Sequence, residues 1–385
     1  MYRKTYAMVN CDTLKNNIKE IASKYKYKYY FGVVKANAYG HGDYVVNSLI
    51  EGGINYLAAS SLEECLSLRE RNAIIPILCL EPINHEYLNI CAENNITITI
   101  PDLDYFKKIK TDNILTVHLK VDSGMNRLGF KDKYEILRVY KEIKKDDNLF
   151  LEGVYTHFAT SGIWDKHWDA QLDNFKKLTS LLDLNKIPIV HLGRSLTLVN
   201  HPKIEFANGI RLGIIMFGFA QNMVMPKGLR LIKRKFVLKM NKISPTTTSN
   251  DLRIKTAFTL NTEVMAIKQV RAGEFVGYGA KYVAHRDMLL GVLPIGFADG
   301  FSKNNEGRCV KINNKPYKII GEIGMDMITV KIDSTVKLGD KVVLYDNIKT
   351  VCRELGMGAY GLFTGISNRV PRIYKEKDKQ TEVKY

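Results

Sequence analysis

Short apolar runs rich in β-branched and aromatic residues alternate with longer segments of helical period over the first part of the chain, the pattern of parallel strands joined by helices. The runs are YYFGVV from 29, YLAAS from 56, IPILCL from 75, ITITI from 96, LTVHLKV from 115, LEGVYTHF from 151, IPIVHL from 187 and a last strand within IRLGIIMFGF from 210. Eight such units predict an α/β fold, a (β/α)8 barrel of the TIM type. Helix starts fit between the strands. Asp12, Ser61 and Asp102 stand as N-caps, with Glu64 at the capping-box position after Ser61.

Beyond about residue 255 the helical period largely disappears, and alternating runs with hairpin turns take its place, as in CVKINNKPYKIIGEIGMDMITVKI. The expected organisation is a barrel over 1–255, ending in a basic linker at 227–255, and a mainly β domain over 256–385. The mixed-charge tail from Lys375 is expected to fray. A length of 385 residues accommodates both parts, and 45% hydrophobic with 25% charged residues is a globular composition.

The longest purely apolar run, Ile74 to Leu80, is broken by Pro76, so no membrane-spanning segment is expected. The basic start lacks an apolar stretch behind it, which predicts a cytoplasmic protein without a signal peptide. Six scattered cysteines without a C-x-x-C pair predict reduced thiols and no metal site. The net charge of +17 raises nucleic acid as a partner, but nine basic residues and one acidic between Lys227 and Lys255 supply nearly half of it. That segment is expected to be a solvated excursion, and no nucleic-acid partner is expected; steeply salt-dependent binding to DNA or RNA would reverse this.

Active sites of parallel barrels form at the carboxyl ends of the strands, which singles out Lys35, directly after FGVV. A lone strand-end lysine is ordinarily a surface residue. Here it is followed by ANAYGHG, two glycines, a tyrosine and a histidine in a short loop expected to open a helix, beside an amine able to form a Schiff base.

The run VVKANAYGHG resembles the pyridoxal-phosphate lysine motif of alanine racemases and their serine-racemising relatives. Further motifs follow in that family's order: HLKVDSGMNRLGF from 118, THFA from 156, IRLGI from 210, VGYGAKY from 276, IGFADGF from 295, GMDM from 324 and NRVPRIY from 368. The resemblance covers essentially the whole chain. It implies a pyridoxal 5'-phosphate cofactor held by Lys35 and a small amino-acid substrate, alanine or possibly serine, racemised to supply peptidoglycan precursors. It also implies a homodimer in which Tyr278 serves as second base in the partner's site.

Racemisation needs one proton-transfer group on each face of the substrate, and the resemblance implies Lys35 and Tyr278 for those roles. His157 and Arg211 match the family's relay to the tyrosine, and Arg211 its partner for the pyridine nitrogen. Tyr39, Ser195, the backbone at Gly213 and Ile214, and Tyr360 match phosphate anchors. Arg127 matches the arginine facing the phenolic oxygen and the substrate, with Lys120 the family's often carbamylated lysine behind it. Met325 and Asp326 match the substrate-carboxylate side. Departures from the family pattern are Arg194 before Ser195, Phe297 where tyrosine is common, and Gly324 where many members carry cysteine.

Three other readings compete. A pyridoxal-phosphate decarboxylase of similar architecture would place a carboxylate where Arg211 stands. A noncatalytic pyridoxal-phosphate carrier would need neither Tyr278 nor the β domain. His157, Trp164, His167 and Trp168 suggest a metal or stacking box, but packed aromatics at a helix entrance are the plainer reading.

Overall fold

The computed structural model describes residues 3–162, 166–220 and 252–383, together with positions 228, 229, 232, 233, 236 and 240. Trp164 and most of the basic segment 227–255 lie outside the described residues. The chain forms two compact units. One comprises Met1–Thr13, Asn37–Val45 and Thr256–Tyr385, and the other Leu14–Ala36 and Val46–Lys255. The first strand, β1 (Tyr6–Asn10), thus belongs with the C-terminal part of the chain rather than with the barrel that follows it.

The barrel unit is closed by β2 (Tyr29–Val33), β3 (Tyr56–Ala59), β4 (Ile77–Cys79), β5 (Ile96–Ile100), β6 (Leu115–Lys120), β7 (Leu149–Tyr155), β8 (Ile189–Arg194) and β9 (Gly209–Leu212), all eight of the strands read from the sequence. The strands run parallel, and β2 pairs with β9 to close the ring. All five residues of β5 are buried although Ile and Thr alternate. Alternation normally marks a half-wet strand. Here the hydroxyls stay dry because each is bonded, Thr97 to the Tyr56 hydroxyl at 2.7 Å and Thr99 to the Cys79 carbonyl at 2.7 Å.

The helices between strands are capped largely as their sequences ask. Ser61 Oγ accepts from the Glu64 amide at 3.3 Å, and the Asp102 carboxylate from the Tyr105 amide at 2.7 Å. The first helix departs from expectation: it runs from Cys11 to Lys24, and Asn10, not Asp12, accepts from the amide three residues on, at 2.8 Å. Among the described residues no helix is long and apolar enough to cross a membrane.

The second unit is built on β1 with β10 (Phe258–Glu263), β11 (Ala266–Val270), β12 (Phe275–Val276), β13 (Tyr282–Val283), β14 (Met288–Leu293), β15 (Cys309–Ile312), β16 (Lys315–Ile320), β17 (Ile328–Ile332), β18 (Lys341–Tyr345), β19 (Arg372–Glu376) and β20 (Lys379–Val383). Ten of them form one sheet in the order β11-β14-β17-β16-β15-β18-β10-β1-β19-β20. Strand β1 enters between β10, antiparallel, and β19, parallel, with its alternate residues Ala7 and Val9 fully buried. The tail does not fray as expected. It turns back as β20 at the edge of the sheet and pairs with β19 over five residue pairs from Arg372↔Val383 to Glu376↔Lys379, which satisfies the backbone groups on its inner side despite the mixed charge.

Candidate active site

Strand β2 delivers Lys35 to the carboxyl end of the barrel, and the chain then takes a turn that nothing in its composition announces. Ala36, Asn37, Ala38 and Tyr39 all have φ between 50° and 53°, a left-handed turn made of non-glycine residues, after which the loop opens the expected helix through Asp43–Val45 into Val46–Gly52. Such a conformation costs about 1–2 kcal/mol per residue, so the surroundings must over-determine it. They do so at both ends. Glu64 accepts the Ala36 amide at 2.6 Å and the Ser60 amide at 2.9 Å. Asn37 accepts the Gly42 amide on its carbonyl at 2.9 Å and the Asp43 amide on its side chain at 3.1 Å. Gly40 is required: at φ 76° a Cβ would stand 2.1 Å from the Phe363 carbonyl oxygen.

The carboxyl ends of other strands bring the cationic groups of the barrel unit together. Arg211 on β9 is 2% exposed. Its Nη1 donates to His191 Nδ1 at 2.7 Å and the His191 carbonyl at 2.8 Å, and Nη2 to the Thr156 carbonyl at 2.6 Å, the Leu192 carbonyl at 2.9 Å and His157 Nδ1 at 3.4 Å. Its Nε has no acceptor among the described residues. Burial lowers the Arg211 pKa to about 10, which still leaves it charged at neutral pH.

Burial first, then Arg211, Arg194, Arg127 and Lys120, hold His157 well below the usual imidazole range, so it stands neutral. Lys120, buried with its ammonium over the Tyr155 ring at 5.6 Å, is lowered to about 8 by burial and by Arg127 and Arg211. Four cations therefore converge on one strand-end region.

Ser195 begins the helix Ser195–Asn200, and its Oγ accepts the Gly213 amide at 2.9 Å. The next amide, that of the buried Ile214, has no acceptor among the described residues. A buried N–H without a partner is rare in a folded protein and fits an anion supplied from outside the chain. Arg127 is exposed on the loop 121–130, which Asp122 shapes by accepting the Gly124 and Asn126 amides at 3.0 and 2.9 Å.

The remaining candidates lie in the other unit. Tyr39 and Tyr360 face each other with ring centroids 5.7 Å apart, so the two tyrosines expected at a phosphate do meet. Tyr278 sits between Gly277 at φ 75° and Gly279 at φ 67°, and is 71% exposed. A Cβ on Gly324 would stand 3.5 Å from the Tyr278 ring, which places the GMDM turn beside that tyrosine. The turn is fastened through its carbonyls, Gly324 accepting from Phe297 at 3.0 Å and Met325 from Ala298 at 3.1 Å. The Met325 amide has no acceptor among the described residues, while Asp326 is taken by Arg369 at 2.6 Å. Asp326 is therefore engaged with an arginine of its own unit.

His157 stands with Arg211, apart from the aromatic group around Trp168, which stacks on His201 at 4.1 Å between centroids. Four side chains inside the barrel went unread: Tyr155, His118, His191 and Glu152. The only sequence signal was a polar residue inside each of three apolar strand runs.

Profiles of the alanine racemase N-terminal and C-terminal domains match residues 9–221 and 257–374. The chain belongs to the alanine racemase family. It is 34% identical to the alanine racemase of Streptococcus mutans, over 98% of each chain. It is 31% identical to alanine racemase 1 of Bacillus subtilis, over 100% of this chain and 96% of the other. Among solved structures, the Bacillus anthracis alanine racemase with bound L-Ala-P superposes with a TM-score of 0.85 at 29% identity, covering 100% of this chain and 98% of that one. Membership makes the chain an isomerase by family, and the decarboxylase and carrier readings find no relative among these.

Proposed function

We propose that this alanine racemase family member interconverts L- and D-alanine with pyridoxal 5'-phosphate, by a two-base mechanism in a homodimer whose sites are shared between subunits. The observation that carries the reading is Arg211: buried, both terminal nitrogens tied down, and Nε alone left to donate. When bound, the cofactor supplies an electron sink that makes an amino acid's α-hydrogen acidic enough to leave at neutral pH.

Lys35 holds the cofactor through its amine and moves the proton on one face of the substrate. The Tyr278 phenol moves it on the other. Arg211 donates a hydrogen bond at the ring nitrogen without surrendering the proton, which limits delocalisation and the side reactions that go with it. The Ser195 hydroxyl, oriented by the Gly213 amide that it accepts, the Ile214 amide and the hydroxyls of Tyr39 and Tyr360 bind the phosphate, and Arg127 orients the phenolic oxygen and the substrate. The Met325 amide receives the substrate carboxylate, with Asp326 at the rim holding Arg369. Lys120 positions Arg127.

The dimer completes what one chain leaves open. Tyr278, Phe275 and Met325 are 71%, 66% and 55% exposed, an apolar rim around a residue the reaction needs covered. Gly324 beside Tyr278 leaves room that admits serine as a second substrate. All six cysteines are unpaired, which suits the cytoplasm, where D-alanine enters peptidoglycan synthesis.

The test is to incubate each alanine enantiomer with the protein and cofactor in D2O. The expected product is the opposite enantiomer carrying deuterium at the α-carbon. Release of carbon dioxide and ethylamine would replace the racemase with a decarboxylase.

A further inference from the structure

A buried hydrogen-bond chain crosses the barrel interior behind Arg211. Arg211 Nη1 donates to His191 Nδ1 at 2.7 Å, His191 Nε2 meets His118 Nδ1 at 3.0 Å, and His118 Nε2 meets Glu152 Oε2 at 3.0 Å. The Tyr56 hydroxyl donates to the same carboxylate oxygen at 2.7 Å. Both imidazoles are fully buried.

One end of the chain fixes every proton in it. A guanidinium only donates, so His191 Nδ1 must accept and its proton sits on Nε2. His118 then accepts on Nδ1 and carries its own proton on Nε2, pointed at the carboxylate. Burial lowers the pKa of both histidines, consistent with two neutral rings. Burial pushes the Glu152 carboxyl up, but the bonds from His118 and Tyr56 outweigh it and hold it below its ordinary value, so the far end is an anion.

The barrel is shaped around these rings. A Cβ on Gly153 would stand 2.6 Å from the His118 ring, and one on Gly209 would stand 3.0 Å from His191 Cβ. His191 is sandwiched between Phe31 and Tyr155, at 4.5 and 4.7 Å between centroids. A space this closely fitted leaves the imidazoles one arrangement.

We propose that Glu152, His118 and His191 are positioning residues: a one-way relay from a remote carboxylate that locks His191 as an acceptor and so holds Arg211 with Nε presented to the cofactor ring. The inference rests on the functional reading above. Its purpose is electrostatic as well as geometric, because the negative end steadies a charged guanidinium in a region crowded with Lys120, Arg127 and Arg194.

The test uses ¹⁵N-histidine NMR on the cofactor-free protein and turnover on the holoenzyme. The two resonance sets are assigned with His118→Asn and His191→Asn. Both rings should be neutral with the proton on Nε2. Glu152→Leu should leave the His118 Nε2 proton without its acceptor, shifting that nitrogen's resonance away from its native position, and lower kcat roughly 10- to 100-fold with a smaller change in KM. Glu152→Gln, which keeps a carbonyl acceptor, should keep the tautomers and recover part of kcat. An Nδ1-protonated ring or an imidazolium in the native protein would overturn the proposal. So would a folded Glu152→Leu protein with an unshifted His118 Nε2 resonance or native kcat. The NMR arm requires neither cofactor nor turnover, so a native protein with these tautomers but no racemisation would sink the functional reading separately.

Discussion

The barrel unit and the β unit hold their candidate residues by opposite means. In the barrel, Arg211 is 2% exposed and bonded through both terminal nitrogens. In the β unit, Tyr278 is 71% exposed on a loop flanked by glycines with positive φ, and the apolar residues near it face outward. A buried charge needs its partners built in, because leaving it unpaired costs several kcal/mol. An exposed phenol needs no such support and can wait for another surface. The contrast separates residues whose environment is complete within the barrel unit from residues that, on the proposed shared site, meet theirs on a second chain.

The largest expected effect is in the barrel unit. Lys35→Ala should lower racemisation at least roughly ten-thousand-fold, since the proposed mechanism uses it both as a proton carrier and as the cofactor's attachment. The fold should hold, with unfolding free energy within about 0.5 kcal/mol, because the side chain is at a strand end. A reducible cofactor linkage on the same peptide of the variant would contradict the assignment. Tyr278→Phe should cost roughly 10²–10⁴-fold in racemisation while solvent exchange of the α-hydrogen survives from one enantiomer only. Equal loss from both enantiomers would erase the distinction between two faces.

Stability should part the two regions as well. Gly153→Ala drives a methyl into the His118 ring and should cost about 1–3 kcal/mol in denaturant unfolding. A neutral result would mean the ring has room to move. The smallest effect belongs to the β unit. Gly324→Cys should raise the alanine-to-serine ratio of kcat/KM a few-fold, on the order of 1 kcal/mol. Because its Cβ would lie 3.5 Å from the Tyr278 ring and 3.0 Å from the Met327 carbonyl, equal loss with both substrates would show displacement of the tyrosine instead.

The eight barrel strands were legible because parallel strands buried on both faces leave dense apolar runs. Strand β1 was not, since YAMVN is short and its partners, Phe258 to Asn261 and Arg372 to Lys375, lie hundreds of residues away. The pairing of β20 was hidden by charge. The left-handed turn at Ala36–Tyr39 has no glycine to betray it, and only the flanking Gly40 and Gly42 hint at unusual backbone. Lys35, Tyr278 and Arg211 stood out through motif order. His118 and His191 did not, because a single histidine in an apolar strand reads as core until the register shows two of them touching.

Whether the site joins the Lys35 half of one chain to the Tyr278 half of another is tested most directly by mixing two inactive proteins. Lys35→Ala and Tyr278→Phe chains are unfolded together, refolded with cofactor and assayed for D-alanine formed from L-alanine. With a shared site, half of the dimers are mixed and each carries one intact Lys35–Tyr278 pair, so roughly a quarter of native activity should return. If each chain used its own tyrosine, no intact pair could form, and a mixture as inactive as its parents, with mixed dimers present, would contradict the shared site.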